Sequence, residues 1–199
     1  MPTGRFLNLP EEKKDKIKQA IIQELFRVPY ENVSINQIIR AAGISRGSFY
    51  TYFQDKRDAY AYILQGIRCD MWKLCRDSLE ESGGDFWTML REMLTGGVRY
   101  CEEHGYSRLL ENALVNPSLA RIFYGSLLPS EEIWNDICGR IDTGQFKRCT
   151  KEELWVLTRI GTELLTMLFS DYFDRSLSLD EAVRSLDVRM NIIRYGVCA

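Results

Sequence analysis

The sequence predicts an all-α protein of about nine helices, and three observations support this prediction. Apolar residues recur three and four positions apart in nearly every segment of the 199-residue chain. The alternation of apolar and polar residues that is typical of a half-buried β-strand does not persist anywhere. Glycines and helix-capping residues interrupt the helical pattern repeatedly, as at residues 82–84. The chain therefore divides into helices joined by short turns.

The first predicted helix begins at Pro10 and lies in a basic part of the chain. Pro10 is followed by two glutamates, which are favourable at the positive end of a helix. Residues 1–57 contain ten lysines and arginines against six acidic residues, a net charge of +4. Residues 58–199 contain sixteen against twenty-two, a net charge of −6. This asymmetry is expected of a protein whose N-terminal end meets a polyanion such as DNA.

Two shorter helices, joined by a tight turn, are predicted next. Ser34 and Gln37 have the spacing of a capping box, which predicts the beginning of a helix. Gly43 is placed to end that helix in a left-handed conformation. Ser45 is placed to cap the following helix, which extends over residues 46–53. Two helices at a glycine turn are the arrangement that places a helix in the DNA major groove.

The residues of the second short helix divide into an inward and an outward group. Phe49 and Phe53 lie four positions apart and are expected to face inward. The residues left to face a partner are Arg46, Gly47, Ser48, Tyr50, Thr51 and Tyr52. The alternative is that the two tyrosines are ordinary packing aromatics.

Residues 34–56 resemble the signature of the TetR family of bacterial transcriptional regulators. The similar positions are Ser34, Ile35, Ile38, Ile39, residues 42–47, residues 50–53 and Lys56. The resemblance implies an N-terminal three-helix helix-turn-helix DNA-binding domain over residues 10–57, with a connector helix from about residue 55. It also implies a helical ligand-binding and dimerisation domain over residues 58–199.

The same resemblance implies which residues contact DNA. The candidates are Ser34, Gln37, Ser45, Arg46, Gly47, Ser48, Tyr50, Thr51, Tyr52 and Lys56. Four of them, at positions 46, 47, 48 and 50, are expected to face base edges. Arg46 is the candidate for a bidentate contact with guanine. The other six are expected to contact mainly the DNA backbone.

Beyond this motif, the same signals predict further helices. They extend over residues from about 55 to 81, 85 to 103, 107 to 115, 118 to 128 and 130 to 141, before a loop over residues 142–150. Thr150 and Glu153 have capping-box spacing and begin a helix that ends near Phe173. A final helix begins near Ser178.

The last two helices are apolar over most of their circumference, and such helices bury more than one side. Either both are core elements of a monomer, or two subunits pair them in a four-helix bundle. The family resemblance favours the homodimer. The predicted dimer interface consists of Leu157, Gly161, Leu164, Leu168, Leu186, Met190 and Ile193.

A regulator that responds to a small molecule needs a cavity in its second domain. Aromatic residues and methionines with polar neighbours are candidates for its lining, although such residues at helical spacing are more often plain core. The candidates are Trp72, Trp87, Met93, Tyr100, Phe123, Trp134 and Met167. The expected partners are an operator in double-stranded DNA, a second copy of the chain and a small-molecule effector of unknown identity.

The cysteine and histidine pattern argues against a metal site and against an enzyme. The six cysteines include no CxxC pair, and a single histidine removes Cys/His zinc patterns and any obvious catalytic triad. No glycine-rich phosphate-binding loop occurs. We therefore expect no cofactor and no metal, and thiols that are reduced and mostly buried, with thiol sensing as the minor alternative.

The hypothesis that best fits these observations is a TetR-type repressor that binds a palindromic operator as a homodimer and is released by a small molecule. The alternative is a non-sensing DNA-binding or protein-interaction protein of the same fold. No apolar run approaches the roughly 20 residues that span a bilayer, and no signal-peptide pattern is present. A cytoplasmic location without a membrane partner is therefore expected.

Overall fold

The computed structural model describes residues 2–115, 119, 130–146 and 149–198. These residues form ten α-helices and contain no β-strand, so the all-α fold class is confirmed. The helices are α1 (Gly4–Leu7), α2 (Glu11–Arg27), α3 (Ile35–Ala42), α4 (Arg46–Tyr52), α5 (Lys56–Glu81), α6 (Phe86–Glu103), α7 (Ser107–Val115), α8 (Glu131–Arg140), α9 (Lys151–Phe173) and α10 (Leu179–Cys198). The sequence did not predict α1. The helix predicted over residues 118–128 lies outside the described residues except for Leu119, and the pocket candidate Phe123 lies outside them.

The helices belong to two compact units. The first contains α1 to α4, the part of α5 that ends at Arg68, and α7. The second contains the chain from Cys69 to His104 and the described residues from Ser130 onward. The limits of these units differ from the predicted ranges 10–57 and 58–199, because α1 packs on α4 and α7 packs on α2.

The core of the first unit forms where α2 crosses α3. Ile17, Ile21 and Leu25 of α2 are buried, as their helical spacing predicts. Phe49 and Phe53 are both 0% exposed, so the predicted inward group of the second short helix is confirmed. This core fixes α3 and α4 relative to α2.

The core of the second unit forms where α6, α9 and α10 pack together. The residues predicted as a dimer interface lie in this core: Leu157, Gly161, Leu168, Leu186 and Met190 are buried, and Leu164 and Ile193 are partly buried against it. A Cβ atom on Gly161 would lie 2.8 Å from Leu90 Cδ2, so this glycine allows α9 to approach α6 of the same chain. The dimer-interface prediction is therefore wrong for the five residues buried in this core, and it stays a prediction for Leu164 and Ile193.

A different set of large apolar side chains is exposed on the same two helices. The set is Trp155, Val156, Ile160 and Met167 on α9, and Val188, Ile192 and Tyr195 on α10. Their exposed fractions range from 38% for Met167 to 76% for Tyr195. We call this set the exposed apolar face. Isolated exposed apolar residues are common, but a group on two packed helices is typical of an interaction surface.

Candidate DNA-binding site

The turn between α3 and α4 has the geometry that the sequence predicted. Gly43 has a φ of +65°, the left-handed conformation that glycine adopts at little cost. The N–H of the following residue, Ile44, donates to the Ile39 carbonyl at 3.0 Å and thereby closes the end of α3. Ser45 caps α4, because its Oγ accepts from the Ser48 N–H at 3.0 Å.

The predicted capping box at the beginning of α3 is wrong. The Ser34 side chain makes no cap hydrogen bond. Instead the Ser34 N–H donates to Glu24 Oε1 at 2.9 Å, so a carboxylate from α2 holds the backbone just before α3. Glu24 is only 4% exposed, and Arg27 donates to both of its oxygens at 2.9 Å. The sequence signal for this role is an acidic residue on the otherwise apolar buried face of α2.

Burial raises the pKa of the Glu24 carboxyl, but hydrogen bonds from Arg27 and from the Ser34 N–H, together with the Arg27 charge, lower it below its ordinary value. The carboxylate therefore stabilises the fold at and above the ordinary carboxyl pKa. This contribution is lost as the pH falls through the lowered pKa of the folded state.

Replacing Glu24 by glutamine is expected to lower the free energy of unfolding by about 1.5–3 kcal/mol at neutral pH, since it removes the charge from these hydrogen bonds. The difference from the unsubstituted protein should shrink when urea denaturation is repeated at a pH below the ordinary carboxyl pKa, because the carboxyl of the unfolded chain is then protonated. Glu12→Gln, at an exposed acid of the same helix, is the matched control. A pH-independent effect of Glu24→Gln would contradict this assignment.

Arg46 is held in place on the exposed surface of α4. Its Nη1 donates to Asn36 Oδ1 on α3 at 3.0 Å. Its guanidinium carbon lies 5.7 Å from the centroid of the Tyr50 ring, within the range of a cation–π interaction. Since Asn36 occupies Nη1, the edge formed by Nε and Nη2 is the one suited to a bidentate contact. The sequence did not predict the role of Asn36, which lies ten positions away on another helix.

The remaining candidates on and next to α3 and α4 differ in exposure. Ser48 shares a hydrogen bond of 2.9 Å with Ser45 through their hydroxyls, and Thr51 Oγ1 donates to the Gly47 carbonyl at 2.9 Å. Gln37 and Gly47 are exposed. Tyr52 is only 7% exposed, with its ring centroid 5.8 Å from that of Phe6. The prediction that Tyr52 faces outward is therefore wrong, because α1 covers it.

Tyr50 is 44% exposed and stays available to a partner.

Lys56, the first residue of α5, is already hydrogen-bonded within the chain. Its ammonium donates to the carbonyls of Tyr30 at 3.0 Å and Glu31 at 2.8 Å, with a longer contact of 3.5 Å to the carbonyl of Val33. The ammonium also lies 4.9 Å from the centroid of the Tyr30 ring. The Lys56 ammonium is therefore directed at backbone carbonyls of its own chain and does not extend freely into solvent.

The segment before α2 supports the end of α4. The Thr3 N–H donates to the Tyr52 carbonyl at 3.0 Å, and Thr3 Oγ1 donates to the Thr51 carbonyl at 2.7 Å. These carbonyls lie in the last turn of α4 and have no partner within that helix. Phe6 is 0% exposed, and its ring lies 4.9 Å from that of Phe53 between centroids. An aromatic residue shortly after a possible N-cap threonine was the sequence signal for this element.

The effector-pocket candidates in the second unit have different surroundings. Trp72 and Trp134 are 7% and 4% exposed, and neither indole N–H has a hydrogen-bond acceptor among the described residues. Met93 is buried in the core formed by α6, α9 and α10. Met167 is 38% exposed on α9 and belongs to the exposed apolar face, so its place in a pocket stays a prediction.

Two further pocket candidates lie between pairs of helices. Trp87 lines a groove of about 360 Å³ between α6 and α10, and the Arg194 guanidinium lies 5.7 Å from its ring. An ion pair of 2.8 Å between Arg91 and Asp187 crosses the same groove. Tyr100 donates to a carboxylate of α5, that of Asp70.

The described thiols of the second unit differ in burial, since Cys75 and Cys101 are buried, Cys138 and Cys149 are partly buried, and Cys69 is exposed. Burial raises the pKa of Cys75 and of Cys101 to about 12, so both stay protonated at neutral pH. Within the part of the chain that the structure describes, no three His, Cys, Asp or Glu side chains are grouped so that they could hold a metal ion. Among the described helices, we find no segment with the length and apolar composition needed to span a lipid bilayer.

Comparison with known proteins identifies the N-terminal part of the chain. Residues 17–62, which contain α2 to α4 and the beginning of α5, match the family model of bacterial regulatory proteins of the tetR family. The HTH-type transcriptional regulator YvdT of Bacillus subtilis (strain 168) is 28% identical over 92 residues. Over residues 17–62 the chain is thus similar in sequence to the TetR family. The YvdT match covers 46% of this chain, and the chain spans about half of that relative, 47% of its length.

Solved structures of transcriptional regulators have a similar fold. A TetR-family regulator from Mesorhizobium loti superposes with a TM-score of 0.66 at 15% identity, over 95% of this chain and 98% of that one. A transcriptional regulator from Rhodococcus sp. Rha1 gives a TM-score of 0.62 at 18% identity, over 93% and 97% of the two chains. At these identities the similarity concerns the fold, and it extends well beyond the part that the family model covers.

Proposed function

We propose that this protein is a TetR-family transcriptional regulator that binds double-stranded DNA through α3 and α4, within residues 10–57. The observation that carries the proposal is the placement of Arg46 and Tyr50 on the exposed side of a capped helix, behind a left-handed glycine turn. Asn36 and Tyr50 hold the guanidinium in advance, which reduces the conformational entropy lost on binding a base. Because the proposed partner is bacterial DNA, we propose that the protein acts in the cytoplasm.

Selection of bound duplexes from a random library, followed by sequencing, tests this function. The expected result is a palindromic site whose half-sites lie about 34–36 Å apart or a multiple of that distance. Arg46→Ala should lose the preference at one base pair of each half-site, a discrimination of about 1–3 kcal/mol. Arg40→Ala, at an exposed arginine of α3, should enrich the unaltered consensus. The proposal would be refuted if the unsubstituted protein enriched no sequence. It would also be refuted if Arg46→Ala enriched the same consensus as the unsubstituted protein.

We also propose that the protein is a homodimer, because a palindromic site would need two copies of α4. The exposed apolar face supports this part of the proposal. Val188, Ile192 and Tyr195 are spaced four and three positions apart, so they form one stripe on α10. Val156, Ile160 and Met167 form a similar stripe on α9, which packs against α10. Two copies of this helix pair can form a four-helix bundle in a two-fold arrangement. Dimerisation and effector binding are then functions of residues 58–199.

The remaining part of the proposal is that the DNA-bound protein is a repressor and that a small molecule releases it from DNA. Support comes from Trp72 and Trp134, whose buried indole N–H groups have no acceptor among the described residues. An effector with a hydrogen-bond acceptor would satisfy such a donor and would release DNA if it favoured another spacing of the two reading helices. A metabolite that raises the melting temperature and weakens operator binding supports this part. Unchanged operator affinity across a metabolite panel favours a non-sensing regulator.

A further inference from the structure

We propose that Lys56 positions the helix-turn-helix by holding the segment that leads into α3, and that its ammonium does not contact DNA phosphate. This inference rests on the proposed DNA-binding function and assigns one of its residues a different role. The segment in question, residues 28–34, connects α2 to α3 and contains a single turn of 3₁₀ helix, Tyr30–Asn32.

The contacts of Lys56 use the donor capacity of its ammonium. An ammonium has three N–H donors and no acceptor. The carbonyl oxygens of Tyr30, Glu31 and Val33 lie 3.0, 2.8 and 3.5 Å from Nζ. The Tyr30 ring lies beside the same ammonium, with its centroid 4.9 Å away. A phosphate contact would have to replace one or more of these interactions.

These contacts hold backbone carbonyls of a segment that has only one turn of helix, in which the Tyr30 carbonyl also accepts from the Val33 N–H at 3.1 Å. A segment between two helices needs partners for its carbonyls, since few of them bond within a helix. Lys56 supplies donors from α5, whereas Glu24 accepts the Ser34 N–H from α2. The segment is thus held by opposite charges from two helices. Because α3 begins at Ile35, directly after the segment, its N-terminal end depends on both.

The geometry distinguishes lysine from arginine at this position. Converging carbonyls at about 3 Å suit a compact ammonium, whereas a guanidinium presents its donors in a planar fork. A phosphate on the DNA surface would accept either side chain. The charge-preserving variant Lys56→Arg therefore separates positioning from phosphate contact.

The experiment compares Lys56→Met, Lys56→Arg and a control, Lys13→Met, at an exposed lysine of α2. Amide hydrogen exchange is measured at Val33 and Ser34 without DNA, and operator affinity is measured as a function of salt concentration. In both Lys56 variants, exchange at the two amides should be faster, and operator binding weaker, by about tenfold or more. The salt dependence of Lys56→Met should equal that of the unsubstituted protein. Lys13→Met should leave exchange at the two amides unchanged.

Two results would overturn the inference. The first is a salt slope in Lys56→Met that is smaller by about 0.9 per subunit, the loss expected for one phosphate contact. The second is a Lys56→Arg variant whose amide hydrogen exchange and operator affinity equal those of the unsubstituted protein. If Lys56→Met does not fold, the amide exchange and operator affinity of Lys56→Arg alone test the inference. If the unsubstituted protein binds no DNA, the proposed function fails, whereas the exchange measurements still decide whether Lys56 holds the segment.

Discussion

Replacing Ile192 by glutamate is expected to convert the protein into a monomer and to weaken operator binding by about 10²–10⁴-fold, the usual gain from joining two binding sites. Ile192 is 69% exposed and lies in the α10 stripe of the exposed apolar face. A two-fold interface contains each substitution twice, so two carboxylates would enter one apolar contact. Burying a charge without a partner is strongly unfavourable.

Analytical ultracentrifugation and operator titration measure this prediction. Asn135→Glu is the control, because it also introduces one carboxylate at an exposed neutral position, on α8 and outside the exposed apolar face. The control should remain dimeric and bind the operator. An unsubstituted protein that is monomeric at micromolar concentration, or Ile192→Glu that remains a dimer, would contradict the assignment of this face. Retained folding of Ile192→Glu, seen by circular dichroism, would show that the effect concerns association.

The sequence could not identify this face, although it predicted the two helices that carry it. An α-helix that is apolar nearly all round shows that more than one side is buried, but not which side meets which neighbour. The residues with the strongest heptad-like spacing, such as Leu157 and Leu168, pack inside the chain. Gly161 was predicted to lie in the dimer interface, whereas it allows α9 to approach Leu90 of α6 in the same chain.

Local sequence signals were sufficient to predict the helix-turn-helix. The contacts that join residues far apart in the sequence could not be predicted from such signals. Gly43 and Ser45 act within four residues of their own position, so their roles follow from conformational and capping preferences. The contact of Glu24 spans ten residues and those of Lys56 span 23 to 26. Such contacts depend on how α2, α3 and α5 pack, which no local pattern encodes. Tyr52 was misassigned for the same reason, since its burial requires α1.

Phe6→Ala is expected to lower the stability of α4 by about 3 kcal/mol, at the lower end of the range for a buried phenylalanine because a terminal segment can detach. The Phe6 ring lies 4.9 Å from that of Phe53 and 5.0 Å from that of Tyr62, between centroids, and is 0% exposed. Its removal leaves a cavity beside the end of α4. Detachment of α1 would also remove the two donors of Thr3 from the last carbonyls of that helix.

Amide hydrogen exchange in α4, with operator affinity as a second readout, measures the effect of Phe6→Ala. Exchange at Phe53, whose N–H closes the last turn of α4, should accelerate, and operator affinity should fall because the reading helix loses its support. Leu7→Ala is the matched control, because Leu7 is the next residue of α1 and is 55% exposed. An exposed substitution of this kind should change the stability by no more than about 0.5 kcal/mol. Equal behaviour of the two variants would mean that α1 does not support α4, and that Tyr52 is buried by the remaining core alone.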